Sequence, residues 1–175
     1  MAALPEMGET AVFRTQLHLK VAHFRGQQGQ YAQAIATAEA ALALAEAQAD
    51  STLQAQAEAS IGEWRRHQGR FEEAAKWLKT AVSHFQATPS PELATAHNEI
   101  GFTHMGRGQY PAARQAFEQA LLLFEELGDQ SGTAVTLGNL GYVSQVQSRY
   151  DDARDYLQRA LAMAHRSSTK SSRKA

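Results

Sequence analysis

Gly69-Arg-Phe-Glu-Glu-Ala74 occurs in this chain in four versions, and their spacing decides the fold. The other three are Gly29-Gln-Tyr-Ala-Gln-Ala34, Gly108-Gln-Tyr-Pro-Ala-Ala113 and Ser148-Arg-Tyr-Asp-Asp-Ala153. Their aromatics, Tyr31, Phe71, Tyr110 and Tyr150, stand 40, 39 and 40 residues apart. Downstream of each, a small residue is followed by an aliphatic one: Ala41-Leu42, Ala81-Val82, Ala120-Leu121 and Ala160-Leu161. Upstream, an aliphatic residue precedes a small one: Val21-Ala22, Ile61-Gly62, Ile100-Gly101 and Leu140-Gly141. A period of this length means that one supersecondary unit is repeated and stacked.

The residue types explain the unit. A large residue followed by Gly or Ala on one helix, facing Ala on the next, lets two helices approach at the short end of about 8–10 Å. Gly29, Gly69 and Gly108 stand where the first helix must end, a position that favours a left-handed backbone. Ser148 breaks this pattern, so the fourth turn is expected to be tighter, strained or slightly different. The aromatic two residues later is placed to fill the wedge between the paired helices and their neighbour.

Asp50, Ser90 and Asp129 offer N-caps, Pro91 and Pro111 fall in first helical turns, and Gly128 supplies a stop. The pattern predicts eight helices near 9–27, 31–49, 51–68, 71–87, 91–107, 110–127, 130–147 and 150–166. The domain plan is a flexible N-terminus over 1–8 and four repeats near 14–49, 51–87, 91–128 and 130–166. A disordered, basic tail is expected over 167–175.

Composition agrees. Ala, Gln, Glu, Leu and Arg dominate and β-branched residues are sparse, which favours helix. A net charge of −1 argues against a nucleic-acid surface. There is no cysteine, which removes disulfides and thiolate chemistry and fits a reducing, cytoplasmic setting. No apolar run approaches the roughly 18 residues of a membrane span, and no signal peptide is recognisable.

These positions are the ones that define tetratricopeptide repeats, and the chain resembles that family over residues 14–166. The commonest such repeat has about 34 residues. The longer period, and the run from Leu127 to Tyr142, resemble the long-repeat subgroup of Pins-type adaptors, kinesin light chains and bacterial regulators. The resemblance implies an all-α, right-handed superhelical solenoid of four antiparallel helix pairs. It further implies a concave groove lined by the first helix of each pair, which takes extended or helical peptides.

Carried onto this chain, the groove positions are Lys20 and His23, then Glu63, Arg66 and His67. The third repeat contributes Asn98, Phe102 and Met105, and the fourth Asn139, Tyr142 and Gln145. The first half is charged, and the second sets apolar anchors beside amides, which suits a peptide with an apolar anchor. Asn139, in Leu-Gly-Asn-Leu-Gly, is similar to a peptide-backbone-binding asparagine of the long-repeat adaptors. For Phe102 and Tyr142 the competing expectation is packing on a neighbouring helix. The carboxylate clamp that some family members use is absent: the matching positions read Leu19, His23, Ser60, Thr95 and Glu99.

Catalytic and metal chemistry find no support. His97 and His104 lie seven apart on one helix and His18 shares the register of His97, but no third ligand is in sequence reach. The family has aromatic residues at those positions, so a histidine there reads as a polar substitute in the hairpin. Adjacent carboxylates such as Glu72-Glu73 point about 100° apart on a helix and share no site. The basic residues Arg166, Lys170, Arg173 and Lys174 read as solubilising rather than as a nucleic-acid or lipid contact.

The expectation is therefore a non-catalytic adaptor without cofactor or metal. Its partner would be a protein or peptide, with no nucleic acid and no membrane. The chain would be monomeric, or a weak homodimer through the uncapped last helix. The competing classes are a ligand-sensing module of a bacterial signalling or transcription system and a self-assembling scaffold.

Overall fold

The computed structural model describes residues 4–85 and 88–172, with side chains described for residues 10–85 and 88–163. It contains eight helices and no strand among the described residues: α1 Leu4–Gln27, α2 Tyr31–Ala47, α3 Ser51–His67, α4 Phe71–His84, α5 Pro91–Gly106, α6 Tyr110–Glu126, α7 Gln130–Val146 and α8 Tyr150–Ser172. Two compact units form, Met1–Thr88 and Pro89–Ala175. Each unit holds two antiparallel hairpins. In the first, α1 pairs with α2 and α3 with α4, and α3 lies against both α1 and α2; in the second, α5 pairs with α6, α7 with α8, and α6 lies against α7.

The expected caps form. The Asp50 carboxylate accepts from the Leu53 amide at 3.0 Å, Ser90 Oγ from the Leu93 amide at 3.1 Å, and Asp129 from the Ser131 and Gly132 amides, each at 3.0 Å. Pro91 and Pro111 occupy first-turn positions, where no intrahelical donor is lost. Gly29, Gly69, Gly108 and Gly128 take positive φ at the turns, and so do two residues with side chains, Ala49 at 52° and Ser148 at 59°. Of the expected outcomes for the fourth turn, strain at Ser148 is the one found, whereas Ala49 was not anticipated.

Two helix ends differ from the expected bounds by more than about four residues. Helix α1 starts at Leu4 rather than near residue 9, so most of the N-terminal stretch expected to be flexible is helical. Helix α8 runs to Ser172 rather than ending near 166, into the stretch expected to be disordered. Past residue 150 there is no Gly or Pro to stop the helix, and each added residue closes another backbone hydrogen bond. The remaining parts of those stretches, 1–3 and 173–175, lie outside the described residues.

Small residues set the hairpin spacing. A Cβ on Gly62 would lie 2.7 Å from Leu78, one on Gly101 2.4 Å from Phe117, and one on Gly141 2.7 Å from Leu157. The same repeat position thus brings α3 onto α4, α5 onto α6 and α7 onto α8. The core of the first unit gathers Ala22, Ala34, Ile35, Ala38, Ile61 and Trp64. A core in the second gathers Ala113, Phe117, Leu121, Leu137, Leu140 and Val143.

Candidate functional site

In the first unit, Lys20, His23 and His67 are exposed and Glu63 and Arg66 half-exposed. His23 and His67 belong to an aromatic group centred on Trp64, which the alignment did not foresee. Trp64 is buried over Gly26, whose absent side chain leaves room for the indole. Its ring lies 5.9 Å from His23 and 5.4 Å from His67, and Tyr31 stacks on His67 at 5.4 Å with planes 18° apart.

Arg66 donates from Nη2 to His67 Nε2 at 3.0 Å. A guanidinium only donates, so this nitrogen of His67 accepts, and the ring is neutral with its proton on Nδ1. Burial, and then the charge of Arg66, hold the His67 pKa below the usual histidine value. Gln27 Nε2 and His23 Nε2 are 2.9 Å apart, which leaves the His23 ring in a defined orientation.

In the second unit the expected residues divide. Asn98 is not on an open face. It is 8% exposed and bonded to Thr136 of α7, so it ties two first helices together. Phe102 stands edge-on to Phe117 at 5.2 Å and 78°, and both Phe102 and Met105 are partly buried against the core. The competing expectation of packing therefore applies to Phe102. Tyr142 is 52% exposed, and Gln145 is exposed on the same helix.

Asn139 is partly exposed, yet its Nδ2 is buried without a hydrogen-bond partner. An unpaired buried donor costs about 1–3 kcal/mol, so turning the amide toward an outside carbonyl would be favourable. Val135, Asn139, Tyr142 and Val146 fall at successive intervals of four, three and four residues on α7, which is one helix face. Both valines are exposed beside the tyrosine. Gly138 leaves open space where a Cβ would stand, so a partner backbone could approach closely there. The sequence reading missed the two valines, although the spacing alone was a signal.

The same register on α1 reads Gln16, Lys20, His23 and Gln27, and on α3 Gln56, Ser60, Glu63 and His67. The stripe is polar in the first unit and apolar on α7. No group of three histidine, aspartate or glutamate residues positioned to hold a metal occurs among the described residues. No described helix is long and apolar enough to cross a membrane. His97 is half-buried in α5, where burial lowers its pKa.

Helix pairs repeating with small residues at matched contacts define a helical-hairpin repeat protein. The tetratricopeptide-repeat model matches residues 13–87 and 92–165, and the chain belongs to that family. Among solved structures it is similar to BtubC (BKLC) from P. vanneervenii, at 20% identity and a TM-score of 0.78 over 88% of this chain and 64% of that one. It is similar to a Rap protein complexed with competence and sporulation factor, at 21% identity and a TM-score of 0.81 over 88% of this chain and 43% of that one. It is also similar to a putative kinesin light chain from Podosopora anserina, at 17% identity and a TM-score of 0.65 over 88% of this chain and 76% of that one. The chain spans less than two thirds of the first two. At these identities the likeness shows the fold, an all-α repeat of the tetratricopeptide solenoid class. No curated protein matches the sequence.

Proposed function

We propose that this chain is a non-catalytic adaptor that holds a peptide or helical segment of a partner protein against the open faces of its first helices. The observation that supports this reading is the α7 stripe: Val135, Tyr142 and Val146 exposed in line with an amide whose donor is unpaired. The apolar residues would anchor the peptide and Asn139 would bond its backbone; on the first unit, Lys20, Glu63 and Arg66 would select by charge a segment bound there. A cytoplasmic setting belongs to the same proposal.

A second reading, a ligand-sensing module, draws on the likeness to a Rap protein that was solved with a bound factor. It requires an effector domain to read the bound state, and a longer native chain carrying one would favour it.

The test is a selection from a displayed library of random peptides, followed by affinities for the best binder. For a peptide selected on the first unit, the pair Lys20→Glu with Arg66→Glu should weaken binding about tenfold, or about 1.4 kcal/mol, and for one selected on the second unit Tyr142→Ala should do so. Unchanged affinity in both would reject the reading.

A further inference from the structure

The interfaces between repeats within each unit use one pair of register positions. In the first unit, Ala38 and Leu42 of α2 pack in one apolar cluster with Ile61 and Trp64 of α3. In the second, Phe117 and Leu121 of α6 pack in another with Leu140 and Val143 of α7. Aligning Ala22, Gly62, Gly101 and Gly141 makes these the same positions. The same alignment puts Leu157 and Leu161 of α8 at the inserting positions and Val21 and Phe24 of α1 at the receiving ones. Leu157 and Leu161 are 47% and 59% exposed, and Phe24 is 60% exposed.

Beside Val21, α1 and α2 enclose a groove of about 380 Å³ lined by Leu17, His18, Val21 and Arg25 of α1 and by Ala36 and Thr37 of α2, among others. The α3 equivalents of the α1 lining are Ala57, Glu58, Ile61 and Arg65. Ala57 and Ile61 are fully buried, and Arg65 reaches Glu39 of α2 at 3.4 Å.

We propose that these two faces are a self-docking interface, in which α8 of one copy packs into the α1–α2 groove of a second copy as α2 packs on α3. The occupant is this chain's own α8 because it carries the inserting leucines in the register that α2 and α6 use, with those leucines exposed. Gln158 stands where Glu39 stands, so Arg25 of the receiving copy meets an amide carbonyl in place of a carboxylate. The contact is heterologous: each copy keeps one face of each kind, so association continues from copy to copy unless it closes into a ring. This differs from a homodimer made by two α8 helices, and it uses no residue of the α7 stripe.

The test is sedimentation velocity of the full chain over a concentration series, with circular dichroism as the fold control. The unsubstituted chain should form concentration-dependent oligomers, a ladder of species or a closed ring. Phe24→Glu and Leu161→Glu, both at exposed positions, should each be monomeric alone, and an equimolar mixture of the two should form dimers and nothing larger. A chain that stays monomeric to its solubility limit overturns the proposal. So does association that survives either substitution, or one that Leu161→Glu abolishes while Phe24→Glu leaves it intact.

Discussion

Asn98 and Thr136 bond each other across two first helices: Asn98 Nδ2 donates to Thr136 Oγ1 at 3.0 Å, and that hydroxyl lies 3.3 Å from Asn98 Oδ1 as a second donor. Both side chains are buried, so neither can turn to water. Asn98→Ala or Thr136→Val should each cost about 1–3 kcal/mol, because the remaining partner is left unpaired. The double substitution should cost clearly less than the sum. Urea unfolding of the four chains measures the coupling, and strict additivity would show that the two groups do not depend on each other.

The contact of Trp64 with Gly26 and that of Phe117 with Gly101 should, like that of Phe124 with Gly132, be among the least tolerant of added volume. In each, a new Cβ would sit 2.4 Å from a ring carbon. Gly26→Ala and Gly101→Ala should destabilise by about 1–3 kcal/mol, whereas glycines with open space would not act by this route. Thermal unfolding checks this, and recovery of stability in Gly26→Ala with Trp64→Leu would locate the clash.

Relief of backbone strain predicts a gain. Ala49 and Ser148 hold positive φ where the equivalent turns carry glycine. Glycine removes a cost of about 1–2 kcal/mol but adds chain entropy to the unfolded state of about 0.5–1 kcal/mol. Ser148→Gly and Ala49→Gly should therefore each raise stability by about 0.5–1 kcal/mol in denaturant titrations. A loss in Ser148→Gly would mean that the serine side chain contributes more than its backbone costs.

Stability should depend on pH with two opposing slopes. His97 and His67 have lowered pKa values, caused first by burial, so the unfolded chain takes up protons before the folded one. Their contribution is present above about pH 6.5 and is lost as pH falls through the lowered values. Glu58 behaves oppositely. Burial raises its pKa from 4.5, against the lowering effect of the His84 ring nitrogen bonded to it at 2.8 Å. Its contribution is full below the unfolded value and fades as pH rises through the raised one. His97→Gln should flatten the fall of Tm below about pH 6.5, and an unaltered profile would remove His97 as a source.

Much of the fold was legible because small residues and turn glycines act locally: Gly62, Gly101 and Gly141 mark hairpin contacts, and Asp50, Ser90 and Asp129 mark helix starts. The site was only partly legible. Asn98 sits one turn before Gly101, as a groove residue should, but Thr136 gives it a partner inside, and a distant hydroxyl is not visible in local sequence. The stack of Tyr31 on His67 joins residues 36 apart, and it depends on how α3 lies against α1 and α2. Helix ends were misplaced where no residue forces a stop, as in α8.

The adaptor reading is tested most directly by comparing two exposed residues on different helices of one unit. Tyr142 on the α7 stripe is 52% exposed and Leu122 on α6 is 60% exposed, so truncating either disturbs the core little. The measurement is the Kd of a library-selected peptide for the unsubstituted chain, Tyr142→Ala and Leu122→Ala. Binding through the first helices predicts a Kd about tenfold higher for Tyr142→Ala and no change for Leu122→Ala. Loss of binding in Leu122→Ala with Tyr142→Ala unaffected would place the peptide on the opposite helices and contradict it.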